Sequence, residues 1–199
     1  MSRSIGLAHI IRHDDGTSSG VWGPYTLQSA FQPIFAFNVG KLAVAAFEGL
    51  IRPFRDGDRD SGIQIKINDR DLVELVRAVE NPFAYKEGAA SIAGAYAGLP
   101  PNDDTYPPSK HFLGEPSYAV YRYGAKTQVL GCECGEPGCW PLLCLIEAGP
   151  TRVRWSQFEQ PHRTVKRSKN PWRYDELGPF EFNRGQYERA LEALRRGSL

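Results

Sequence analysis

The chain is 199 residues long, 41% hydrophobic and 12% aromatic, with 24 basic and 23 acidic side chains and a formal charge of +1. That length and apolar content allow one or two domains with a sizeable core, and the near-balanced charge disfavours nucleic acid or an anionic membrane as partner. The longest apolar run, residues 42–47, falls far short of the roughly 20 residues that a bilayer span needs, so no membrane is expected.

Residues 1–26 hold no extended apolar signal core and become charged at residues 12–15. A cytoplasmic, reducing location is expected, in which disulfides do not form and thiols stay free for a metal. His9 lies in a short apolar patch, and His13, Asp14 and Asp15 precede the Gly/Ser-rich residues 16–20. The stretch reads as a loosely held leader ending in a solvated polar turn.

Residues 27–37 and 41–52 are apolar and strand-like about an Asn38-Val39-Gly40 turn, which predicts a hairpin. The Gln32-Pro33-Ile34 run, the Gly40 turn and the Glu48-Gly49-Leu50-Ile51-Arg52 strand end resemble the opening of the EAL domain, the cyclic-di-GMP phosphodiesterase family. The resemblance spans about residues 27–57 and implies that Gln32 and Arg52 touch the dinucleotide while Glu48 binds a catalytic metal. A carboxylate suits a hard cation, and an arginine fork suits a phosphate. Gly49 stands where that family carries alanine. A barrel of roughly 250 residues does not fit this chain, and no later EAL segment follows residue 59. Residues 27–60 are therefore expected as an incomplete EAL-like hairpin in which Glu48 and Arg52 are polar residues ending a strand. A reduced phosphodiesterase or a cyclic-di-GMP-binding protein is the alternative.

A charged, turn-rich seam at residues 54–62 predicts a boundary, followed by an α+β domain at 62–199. Ile63, Ile65 and Ile67 alternate with polar residues as in a half-buried strand. Asp71 caps a helix whose Leu72, Leu75, Val76 and Val79 share one face, with Pro82 ending it. A second short helix is expected over residues 89–97, closed by Gly98. Residues 99–117 form a long Pro-rich loop around His111, which reads as a solvent-facing histidine or one reaching toward the cysteines.

Residues 118–123, 126–132, 139–147 and 151–158 read as four successive antiparallel strands, the first two joined by a Gly124-Ala125 type II′ turn. Residues 63–67 are a candidate fifth. Residues 163–169 are a solvated basic loop, and Trp172, Tyr174, Leu177, Phe180 and Phe182 supply aromatic cover. Asn183 caps a final helix with Gln186 three residues on and Tyr187, Ala190, Leu191 and Leu194 as its apolar stripe. The expected architecture is an antiparallel β-meander with helices packed on one side.

All four cysteines fall within Gly131-Cys132-Glu133-Cys134-Gly135-Glu136-Pro137-Gly138-Cys139-Trp140-Pro141 and the strand residue Cys144. Gly135 to Gly138 is turn chemistry, so the spacing predicts a hairpin with Cys132 and Cys134 on one strand face and Cys139 brought back beside them. Zinc takes four thiolate or imidazole ligands, and the expected set is Cys132, Cys134, Cys139 and His162, with His111 or Cys144 as other fourths. Cys144 alternates with leucines and reads better as a small buried hydrophobe. Inert thiols in a metal-free hairpin remain open, as does a cysteine-dependent enzyme with His162 as base and Glu159 as orienter.

The Gly-Cys-x-Cys-Gly, Gly-Cys-Trp-Pro and Phe-Glu-Gln-Pro-His-Arg runs across residues 62–199 also resemble a bacterial domain family, which implies a bacterial, cytosolic protein and no particular mechanism. The residues together point to a non-catalytic binding or regulatory module, with structural zinc as cofactor. The expected partner is a protein or a second copy of the chain.

Overall fold

The computed structural model describes residues 9–12, 18–21, 45–53, 61–105, 107–136 and 138–196. The chain divides into two units, residues 1–41 and 42–199. In the first, β1 (His9–Arg12) and β2 (Ser18–Val21) pair antiparallel, with His9 opposite Val21 and Arg12 opposite Ser18. The segment expected as a loose leader therefore contains a hairpin. The expected strand at 27–37 and its turn at 38–40 lie outside the described residues.

The second unit is an α+β domain. It opens with β3 (Phe47–Pro53), which pairs antiparallel with β4 (Ser61–Ile67) from Phe47 opposite Ile67 to Pro53 opposite Ser61. The boundary expected at 54–62 thus falls in the link between two paired strands, and residues 45–53 belong with the downstream unit. Ile63, Ile65 and Ile67 are at most 2% exposed and take the register positions opposite Ile51, Gly49 and Phe47.

A tight turn at Asn68 and Asp69, both left-handed, leads to β5 (Arg70–Asp71) and α1 (Leu72–Lys86). Asp71 caps α1 by accepting the Val73 N–H at 2.7 Å, as its position before the apolar stripe predicts. The helix does not stop at Pro82. Proline forfeits one intrahelical hydrogen bond, yet the last turn is held by fully buried Ala84 and by Phe83, whose ring stacks 6.4 Å from that of Trp172.

The helix expected over 89–97 shrinks to a single 3-10 turn, Ala90–Ile92. Gly94 adopts φ +65°, and a Cβ there would lie 2.6 Å from the Cβ of Arg77, so the backbone turns away and becomes β6 (Tyr96–Ala97). Residues 118–123 are likewise mostly a 3-10 turn, Ala119–Tyr121, before the short β7 (Arg122–Tyr123). Gly124 is left-handed at φ +62° while Ala125 is not, as a type II′ turn requires.

The main sheet continues with β8 (Lys126–Cys132), β9 (Leu142–Ala148), β10 (Arg152–Glu159) and β11 (Phe180–Asn183). Its order is β11-β10-β9-β8-β6, with β7 also on β8, so the fourth long partner in the meander is β11 rather than residues 118–123. Two single-residue joins carry the hydrogen bonding on around the domain. The Ile63 N–H donates to Leu99 O at 2.8 Å, and the Ala45 N–H donates to Glu181 O at 2.6 Å where Ala45 bridges Phe182. The strands therefore follow a curled circuit from β11 through residue 45 into β3, β4, β6, β8, β9 and β10.

The last element, α2 (Arg184–Arg196), packs on β3, β10 and β11. Asn183 Oδ1 accepts the Gln186 N–H at 3.1 Å, and Tyr187, Leu191 and Leu194 form the buried stripe, as the sequence predicts. Phe47, Phe112, Trp155, Phe182 and Tyr187 make the aromatic centre of the core, and the Tyr187 hydroxyl donates to Phe112 O at 2.6 Å.

Candidate metal centre

β8 ends at Cys132 and β9 begins only at Leu142, so the cysteine tip is a long turn rather than a continuation of both strands. Two local bonds shape it, from Gly135 N–H to Cys132 O at 3.0 Å and from Cys139 N–H to Glu136 O at 3.3 Å. Gly135 and Gly138 sit at φ +78° and +76°, where side chains other than glycine are strained. Alternation along a strand is thus not what gathers the thiols. Successive turns built on two glycines do so.

The sulfurs of Cys132, Cys134 and Cys139 lie within 4.8 Å of one another and could hold a metal ion. Three thiolates about 2.3 Å from one tetrahedral ion stand roughly 3.8 Å apart, so the set closes on an ion with a small contraction. Cys134 and Cys139 are exposed and Cys132 is half-buried. Burial pushes the Cys132 thiol up to about 12, and its hydrogen bond to Cys134 holds the Cys134 thiol below its ordinary value. The N–H groups facing Cys134 add to that preference, so Cys134 is the sulfur best prepared to be a thiolate.

Of the expected fourth ligands, His162 comes nearest the tip but faces its backbone. It sits in a 3-10 turn, Pro161–Arg163, where its Nε2 donates to Gly138 O at 3.1 Å and its ring stacks 6.2 Å from that of Trp140. Cys144 is fully buried in β9 opposite Thr127, the small hydrophobe that its alternation predicts. His111 is no loop histidine in solvent. It is fully buried, its Nε2 donates to Gln128 O at 2.8 Å, and the rings of Phe112 and Tyr121 enclose it at 4.8 and 5.2 Å. Desolvation lowers its pKa to about 4, so it is neutral near pH 7. Glu159, the expected orienter of a histidine base, instead pairs with Lys126.

Of the residues matched to the EAL family, the structure describes the backbone positions of Glu48 and Arg52 on β3. Gln32 lies outside the described residues. Glu48 is exposed on β3 opposite Lys66, which in turn faces Asp71 on β5, so its cross-strand neighbour is a cation. Arg52 takes the register position opposite Gly62. The Asp71 carboxylate is occupied by the Gln64 side chain at 2.5 Å and the Val73 N–H.

Two clusters escaped the sequence reading. Behind the tip, the Arg163 guanidinium lies 5.1 Å from the Trp140 ring centroid and 5.4 Å from that of Trp172. Glu87 joins them, pairing with Arg163 at 3.3 Å and accepting the Trp172 indole N–H at 2.9 Å. Deeper in the domain, fully buried Glu80 accepts from Gly94 N–H, Tyr96 and Tyr174. Leu72, Val76, Glu80 and Ala84 recur every four residues and are all buried, so helical periodicity did mark Glu80 as facing inward.

No helix among the described residues is long and apolar enough to cross a membrane. Comparison with protein-family models, curated proteins and solved structures finds no match for this chain.

Proposed function

We propose that the chain is a non-catalytic binding module that carries zinc on Cys132, Cys134 and Cys139 and meets its ligand at that tip. The observation behind this reading is the convergence of three sulfurs within 4.8 Å on a turn. The tip has few apolar side chains to hold it, and a metal supplies to such a turn the order that burial gives elsewhere. Zinc suits an all-thiolate set and brings no redox chemistry of its own. The Arg163, Trp140, Trp172 and Glu87 cluster braces the base of the turn, since Trp140 directly follows Cys139.

Elemental analysis of protein purified under reducing conditions tests the reading. One zinc per chain is expected, retained in Cys144→Ser and lost in Cys132→Ser, Cys134→Ser and Cys139→Ser. Wild-type protein with far less than one equivalent, even after reconstitution with zinc, would retire it.

A further inference from the structure

We propose that an ion at this tip keeps one coordination position open to solvent and takes there a thiolate from outside the three-cysteine set. This rests on the metal reading above and names what the site binds. A closed structural zinc has four protein ligands, whereas a centre with three keeps a position for an exchangeable one.

Among the described residues, the side chains expected as a fourth ligand or as its neighbours are placed elsewhere, and no carboxylate joins the three sulfurs in one cluster. The His162 Nε2 is spent on Gly138 O, and its imidazole is stacked with Trp140. Cys144 lies within β9 opposite Thr127, several residues along β8 from Cys132. His111 is held in the core against Gln128 O, and the Glu159 carboxylate pairs with Lys126. Among the described residues, Cys132, Cys134 and Cys139 form the group that one ion can touch.

The open side faces water, because Cys134 and Cys139 are exposed. Three sulfur ligands make the ion a soft acceptor, and a fourth thiolate completes the all-thiolate tetrahedral shell that zinc accepts readily. The exchange moves no electrons: the incoming thiol gives its proton to solvent, its sulfur bonds to the ion, and a water leaves. A free small thiol and a cysteine of a second copy of the chain share this chemistry.

Cobalt substitution reads the coordination shell directly. The full chain, reduced and loaded with one equivalent of Co(II), is titrated with 2-mercaptoethanol while sulfur-to-cobalt charge-transfer absorption is followed. A monomer should show a saturable rise of about one third, as three thiolates become four, whereas a dimer whose second copy already supplies the fourth sulfur should start at the higher intensity and keep it. His162→Gln, which keeps a donor for Gly138 O, should give the same starting spectrum and the same rise. Size-exclusion chromatography separates the two sources. A cobalt-loaded dimer that the thiol converts to monomer assigns the fourth sulfur to a second copy, and a monomer throughout assigns it to a small thiol. Full cobalt uptake by a protein that is monomeric throughout, with a spectrum unmoved by thiol, or a starting spectrum altered in His162→Gln, overturns the open position and leaves the metal reading standing. Failure of the reduced protein to take up cobalt or zinc overturns both.

Discussion

Tyr174 donates its hydroxyl hydrogen to Oε1 of Glu80 at 2.6 Å, joining residues 94 positions apart. Tyr96 donates to the same oxygen at 2.6 Å and the Gly94 N–H to Oε2 at 2.7 Å. One buried carboxyl thus fastens α1, the turn before β6 and the segment leading to β11. Burial raises the Glu80 pKa, while these hydrogen bonds and Arg77 pull it down. Taking one hydrogen-bond partner from a buried polar group costs roughly 1–3 kcal/mol, so Tyr174→Phe should lower the urea midpoint by that equivalent with an unchanged slope. A midpoint shift too small to resolve would mean that the carboxyl draws little from this contact.

The same carboxyl gives stability a pH dependence of definite sign. Its folded pKa lies above the ordinary 4.5, so its favourable contribution is complete below 4.5 and is lost as pH rises through the folded value. Tyr174→Phe removes a bond that favours the charged form, so the loss should move to higher pH. Glu80→Gln should flatten this part of the curve. Urea unfolding across about pH 4 to 8 measures it, and superimposable slopes for wild type and Glu80→Gln would refute the assignment.

His111 acts in the opposite sense. Its pKa falls from 6.5 unfolded to about 4 folded, mainly by desolvation. Its contribution is complete above 6.5 and is lost as pH falls toward 4, over which the unfolded chain takes up a proton that the native core resists. A shift of this size corresponds to about 3 kcal/mol at most. His111→Gln should be less stable than wild type near neutrality, because it disturbs a packed site, and should lose less on acidification. The check is the difference in unfolding free energy between about pH 7 and pH 5, expected to be smaller in the variant.

Elements that depend on near neighbours in the chain could be read from the sequence. Asp71 and Asn183 announced their caps, and Ile63, Ile65 and Ile67 announced a strand, because each signal lies within one turn or one pleat. The cysteine cluster was legible as a set but not in its geometry, since strand alternation was credited with what Gly135 and Gly138 accomplish in turns. Pairings across long separations were not legible. Tyr96 falls within the stretch expected as a helix over residues 89–97, because nothing local shows that it stands opposite Cys132 in a ladder and reaches Glu80. Glu48 and Arg52 drew residues 47–53 toward a separate unit, while the ladder to β4 and the placement of Phe47 in the aromatic core tie them to the later one.

Phe47 provides a direct measure of that attachment. Its ring centroid lies 4.4 Å from that of Tyr187 and 5.7 Å from those of Trp155 and Phe182, and the residue is only 9% exposed. Truncating a buried phenylalanine costs about 3–5 kcal/mol through lost transfer energy and the cavity left behind. Phe47→Ala should therefore destabilise the whole domain in one transition, seen by both far-ultraviolet dichroism and tryptophan fluorescence. Tyr85→Ala, at a side chain 79% exposed, should shift stability by less than about 0.5 kcal/mol. Equal effects in the two variants would mean that β3 is an appendage.

Metal removal should loosen the tip far more than the core. The three sulfurs sit on a turn in which, among the described residues, the Gly135 and Cys139 N–H groups make the internal backbone bonds, whereas Val129, Leu130, Leu142 and Leu143 behind it are nearly fully buried. Ligand binding to the native state alone adds about 2.7 kcal/mol at a free concentration about one hundred times the dissociation constant, and chelation withdraws it. A chelator added to zinc-loaded protein should lower the melting temperature while leaving far-ultraviolet dichroism at ambient temperature nearly unchanged. Amide exchange should accelerate at residues 133–141 and stay slow in β9 and β10. Cys134→Ser should already match the chelated wild type, and the chelator should not shift it further. A chelator effect of the same size in Cys134→Ser would locate the metal elsewhere in the chain.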